Sequence, residues 1–290
     1  MIENAMMQNI LSFGPVFLLL AVRALAMIQV APLLSSDAIP QVAKFALAGL
    51  AAFAVIPTAE MFIASNSPNG IVTLPGGTLS DLRYETFSLR FFLLIIGEAI
   101  IGIIIGFYMT IIFAAFSTAG QFFSLQMGFG ASETFDPVAQ IENPLMGQYF
   151  NLISMVIFVT IGGFHQLFLG GFWRSVQTIN VISLIDGTQP IVTMIVSGLS
   201  RLFMDAIVIA MPILGTLFLT SLTTGLISKA APQVNILSEG FPISIIAAFL
   251  LLFASLPFMI EAFSRIIDSG FSNIQSLYIQ IGRKITGGGY

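Results

Sequence analysis

The chain has 290 residues, of which 57% are hydrophobic and 8% charged, and its mean hydropathy is +0.98. Soluble domains carry about 25% charged residues, so composition places the chain in or beside a membrane, and no polar tract is long enough for a separate soluble catalytic domain. A net charge of -4 offers no basic face for nucleic acid, the absence of Cys excludes disulfides and thiolate metal sites, and one His cannot form a His cluster.

The opening MIENAMMQNILSF carries Glu3 and no Lys or Arg before Arg23, which argues against a cleaved signal peptide with a basic start. The first apolar segment, 12–34, holds Arg23 at its middle. A guanidinium there costs about 2.5–3.5 kcal/mol unless protein surrounds or pairs it. Structural pairing with a neighbouring helix is the simpler reading, and substrate handling is the alternative. Pro32 and Pro40 bracket a short elbow, after which residues 41–63 form a second apolar helix with Lys44 and Glu60 near its ends. Residues 64–90 read as a loop, from the turn chemistry of Ser67-Pro68-Asn69-Gly70 and Pro75-Gly76-Gly77, with room for a short helix at 81–90.

A third segment starts at Phe91 and contains Glu98, then carries no formal charge from Ala99 to Ser132. As a helix that run extends about 51 Å, against about 30 Å of hydrocarbon, so it leaves the lipid or is broken inside protein. Gly102 and Gly106 make a small-residue pattern that admits a second helix at close range, a packing feature rather than a site. The helix is expected to end near Met127. Gly128, Gly130, Asp136-Pro137 and Asn143-Pro144 then punctuate a loop, and a new helix opens at Pro144. Glu133, Asp136 and Glu142 without a Lys or Arg give the bland reading of an acidic, solvated connector.

The fourth segment, 145–173, is interrupted at Gly162-Gly163 and Gly170-Gly171, and its His165 is expected to be a hydrogen-bonded core residue rather than a proton relay. Residues 174–189 read as a loop. Pro190 suits the first turn of the fifth helix, 190–228, where Arg201 and Asp205 stand four apart as a structural pair and Pro212 should introduce a bend. Residues 229–239, KAAPQVNILSE, form an elbow before the last long helix, 240–267, and residues 269–290 look like a flexible tail. The two elbows echo each other loosely, which would also suit a transporter built from repeats. No HExxH, Walker A, GxSxG or Cys/His metal spacing occurs, so an enzyme is the least supported class, and no cofactor is expected. A secondary transporter of a small solute is the other class that composition admits.

The pattern TAG-x4-LQMG-x2-A-x4-DP at 118–137, followed by Pro144, Phe158, Gly162-Gly163 and His165, resembles the signature region of the FliR/SctT family. Arg23, Ala31-Pro32, Pro40 and Lys44 near the start fit the same family, as do Ala231-Pro232-Gln233, Asn235-Ile236 and Phe241-Pro242. The resemblance covers most of residues 12–268, and Glu133 and Glu142 make the central loop more acidic than the family pattern. It implies an all-α membrane-type protein of about six long, partly kinked helices with a re-entrant-like central loop. Residues 1–189 would be a FliP-like part and 190–268 a FliQ-like hairpin, in a subunit of the flagellar type III secretion export gate or its virulence injectisome counterpart. The implied partners are FliP-like and FliQ-like subunits, an FlhB-type switch protein at the cytoplasmic side, the basal-body ring and unfolded export substrates. Such gates sit partly raised out of the lipid plane of the bacterial inner membrane.

In that frame the loop 128–147 becomes a plug. Gly128, Gly130 and Gly147 serve as hinges, Phe129, Phe135, Leu145 and Met146 supply apolar bulk, and Asp136, Pro137 and Pro144 hold the turns. Arg23, Glu98, Arg201 and Asp205 are the buried charges expected to matter for assembly. Lys229, Pro232, Gln233, Asn235 and Glu239 form the partner-facing elbow. The resemblance puts that elbow in the cytoplasm. A count of Lys and Arg over six spans instead puts both termini there, opposite to the elbow, and the resemblance is the stronger guide because that rule describes spans in lipid.

Overall fold

In the computed structural model, the described residues are 2–66, 73–74, 77–78, 89–127, 145–179, 181, 188–230 and 236–286. In chain order the helices are α1 (Ile2–Val30), α2 (Gln41–Asn66), α3 (Leu89–Met127), α4 (Leu145–Thr160), α5 (Gly163–His165), a π-helix (Gln166–Trp173), α6 (Arg174–Thr178), α7 (Thr188–Ala230) and α8 (Ile236–Thr286). Between α2 and α3 the two-residue strands β1 (Thr73–Leu74) and β2 (Gly77–Thr78) pair antiparallel, with Thr73 opposite Thr78. The protein is of the all-α membrane type. Phe91–Met127, Thr188–Ala230 and Pro242–Ile281 are each long and apolar enough to cross a membrane. With 39, 43 and 51 residues, α3, α7 and α8 are about 58, 64 and 76 Å long, roughly twice the hydrocarbon thickness.

The chain forms two compact units, Met1–Thr110 with Gly163–Val196 and Gly270–Tyr290, and Ile111–Gly162 with Ser197–Ser269. α3, α7 and α8 each contribute to both units. In the first unit α3 lies against α1 through the two glycines of the small-residue pattern. A Cβ on Gly102 would collide with the Arg23 carbonyl oxygen, and one on Gly106 would stand 2.7 Å from that of Met27. Backbones this close bring polar groups together across apolar helices, and the Thr110 hydroxyl donates to the Val30 carbonyl at 2.9 Å. Ala24, Met27, Ile28, Ile101, Ile105 and Tyr108 fill the surrounding core. The elbow between α1 and α2 includes Leu33 at φ 69°, and the buried Lys44 reaches back to donate to the Ser35 carbonyl at 2.9 Å.

The second unit is built on aromatic rings. Phe116 lies 4.3 Å from Phe263 and 6.1 Å from Phe113, which meets Phe158 edge-on at 5.4 Å, while Phe150 stands 4.9 Å from Phe123. Offset and edge contacts of this kind add to the burial of each ring. Here α7 and α8 run antiparallel, with Ile209, Pro212 and Ile213 facing Ser255, Phe258 and Met259.

Several expectations need correction. Residues 174–178 are helical rather than loop. The last helix begins at Ile236, not at Gly240, and continues to Thr286 through the segment expected to be a loose tail. Phe271, Ile274, Tyr278 and Ile281, spaced three and four apart, are buried and dock that segment. The amide of Asn273 also donates to the Tyr108 hydroxyl at 3.2 Å. His165 is exposed, not a core residue.

Candidate functional site

A buried polar knot in the first unit is built on Arg23. Its side chain and that of Glu98 are fully buried, and Arg23 Nε donates to Glu98 Oε2 at 2.5 Å. The other arms of the guanidinium go elsewhere: Nη1 to the Ser175 hydroxyl at 3.2 Å and Nη2 to the Ile179 carbonyl at 3.0 Å. Three helices therefore converge on one side chain, α1 supplying Arg23, α3 Glu98 and α6 Ser175. The planar fork of Arg suits three divergent acceptors, which an ammonium cannot reproduce. Composition signals both charges, but nothing in the local sequence marks Ser175 or Ile179.

The other two expected buried charges are not brought to this knot. Arg201 is exposed and Asp205 half-buried, and Arg201 Nη1 donates to the Ser269 hydroxyl at 3.2 Å rather than closing an ion pair with Asp205. The order Arg then Asp along a helix is the weaker of the two four-apart orientations. Glu261 and Arg265 have the better order and do pair, at 2.6 Å on an exposed surface. Among the described residues no three His, Asp or Glu side chains group as metal ligands.

The central motif is seen through its frame. α3 ends at Met127, as expected, and α4 opens at Leu145. Gly120 of the TAG triplet sits against the start of α4, where a Cβ would stand 2.5 Å from the Met146 carbonyl oxygen and 2.7 Å from the Gly147 Cα. Met127 and Met146 are both buried, and the Phe123 and Phe150 rings meet at a tilt of 48°. The two stems of the loop are thus clamped backbone to backbone. Gly128, Phe129, Gly130, Phe135, Asp136, Pro137 and Pro144 lie outside the described residues, and for Leu145 only the backbone is described. At the second elbow Lys229 is exposed at the end of α7, Pro232, Gln233 and Asn235 lie outside the described residues, and Glu239 stands in the first turns of α8.

The family model of bacterial export proteins, family 1, matches residues 15–270. The chain belongs to that family. Among its curated relatives, a flagellar biosynthetic protein FliR of Borreliella burgdorferi is 31% identical over 65% of this chain and 70% of the relative. The FliR of Escherichia coli K12 is 29% identical over 85% of this chain and 87% of the relative. A surface presentation of antigens protein SpaR of Shigella sonnei is 28% identical over 60% and 66%. This export protein accordingly has a membrane location, and the match takes in Arg23, Glu98, Gly120 and both elbows. Residues 271–286, which dock the end of α8 in the first unit, lie beyond the match.

Proposed function

We propose that this chain is a subunit of the flagellar type III secretion export gate. With FliP-like and FliQ-like subunits it forms a closed channel for unfolded export substrates, and it acts without catalysis. The observation that carries the reading is the family match over residues 15–270. The flagellar branch is favoured over the injectisome branch because the FliR proteins of Escherichia coli K12 and Bacillus subtilis match over 85% and 95% of this chain, whereas SpaR matches over 60%. Residues 190–268 are the FliQ-like hairpin and residues 1–189 the FliP-like part.

A place in the inner membrane, within the flagellar basal body and partly raised out of the lipid plane, is supported by helix dimensions. α7 and α8 outrun the hydrocarbon layer roughly twofold, and the exposed Glu261–Arg265 pair lies within the apolar run Pro242–Ile281. An exposed ion pair at that depth is costly against lipid and inexpensive against water or protein. Deleting the gene should abolish secretion of the filament protein and swimming, and supplying the chain in trans should restore both. Undiminished secretion by the deletion strain would refute the assignment.

The elbow 229–239 is the contact for the FlhB-type switch protein on the cytoplasmic side. Lys229 stands exposed at its start. Photo-crosslinkers placed at Gln233 and Ser238 are expected to capture that protein in intact cells. Adducts confined to lipid or periplasmic proteins would show that the elbow faces the other way.

A further inference from the structure

Helices with i to i+5 hydrogen bonds are rare and tend to be kept where they serve a function. In this chain one occupies Gln166–Trp173, ending where the Arg174 N–H donates to the Leu169 and Gly171 carbonyls. Its junction with α6 is held by two hydroxyls. Tyr278 donates to the Gly171 carbonyl at 2.7 Å, and Ser175 donates to the Phe172 carbonyl at 2.6 Å. Ser175 also accepts from Arg23, and the Ile179 carbonyl accepts from the same guanidinium. The widened turn and the buried ion pair are therefore one hydrogen-bonded system.

Steric need does not explain Gly170-Gly171. A Cβ on Gly171 would meet Ile105 Cγ2 at 3.5 Å and one on Gly170 would meet Gln275 Nε2 at 3.6 Å, both ordinary contacts. What the two glycines supply is a low preference for the α-helix. Each i to i+5 bond spans one residue more than an α-helical bond, so reversion to α geometry advances the following residues by one position, roughly 100° about the axis. Arg174 would then occupy the place of Ser175. In the present register Arg174 is exposed, while Glu98 Oε1 is buried and has no hydrogen-bond partner among the described residues.

We propose that the π-helix is a register switch: in one register Ser175 faces Arg23, and in the other Arg174 is delivered to the free oxygen of Glu98, giving a buried Arg–Glu–Arg triad. The second register exchanges the two hydroxyl-to-carbonyl bonds and the Arg23–Ser175 bond for a charged one, and triads of this composition are tolerated in protein interiors when fully hydrogen-bonded. The same step moves Trp173 from a half-buried position to the exposed place now held by Arg174.

Trp173 is the only Trp in the chain, so its emission reports the register of the full-length protein in detergent or nanodiscs. Two variants bias the switch independently: Tyr278→Phe with Ser175→Ala removes the hydroxyls, and Gly170→Ala with Gly171→Ala favours α geometry. Each is expected to change the emission maximum and to raise severalfold the quenching of Trp173 by acrylamide or by brominated lipid. Adding Arg174→Gln should return both readings to the parental values, because the Glu98 oxygen then has nothing to capture. Parental emission and quenching in the folded glycine variant would overturn the switch even if the hydroxyl variant fails to fold, and so would a change that survives Arg174→Gln.

Discussion

Arg23→Ala is expected to lower stability by about 3–5 kcal/mol, the usual cost of leaving one member of a buried ion pair without its partner. The loss strands the Glu98 carboxylate, whose second oxygen already has no partner among the described residues, and frees the Ser175 hydroxyl and Ile179 carbonyl. Arg23→Lys keeps the charge but not the fork, so an intermediate loss follows. Replacing both partners, Arg23→Met with Glu98→Leu, should cost less than either single change to Ala, because no buried charge remains uncompensated. Thermal unfolding of the purified chain and recovered yield of the assembled complex measure all four. An Arg23→Ala protein within roughly 0.5 kcal/mol of the parent, the range of an ordinary surface change, would show that the knot contributes little.

Shortening 131–141 is expected to leave the fold in place and make cells leaky to ions and small molecules. The stems of the central loop are fixed independently of its tip by the Gly120 contact with Met146 and Gly147 and by the Phe123–Phe150 ring contact. A shorter loop can therefore still close, while losing Phe135 and the Asp136-Pro137 turn. A connector in bulk water has no use for Phe129 and Phe135 at such positions, and their presence favours a plug over the acidic connector that composition alone suggested. Conductance or dye uptake, compared with the parent at equal complex yield, decides between them. Unchanged permeability with normal assembly would reduce the loop to a connector.

What was legible in the sequence followed from local chemistry. The end of α3 at Met127, the start of α2 at Gln41 and the apolar spans were marked by Pro, Gly and the absence of charge. Arg23 and Glu98 announced themselves as charges in apolar runs, although their pairing across 75 positions was not readable without the fold. The close helix approach at Gly102 and Gly106 was readable, but its partner, α1, was not. The end of α8 is legible in Phe271, Ile274, Tyr278 and Ile281, which keep helical spacing up to the terminal glycines. The π-helix had no sequence signal beyond Gly170-Gly171, since its stabilising hydroxyl from Tyr278 comes from 107 positions away.

Affinity isolation of the tagged chain from native membranes tests whether it is built into a multi-subunit gate. FliP-like and FliQ-like subunits are expected to come down with it in a stable complex, in quantities that Arg23→Ala reduces. Recovery of the intact chain alone, as a stable monomer whose melting temperature rises with a small solute, would contradict the gate and point to a transporter.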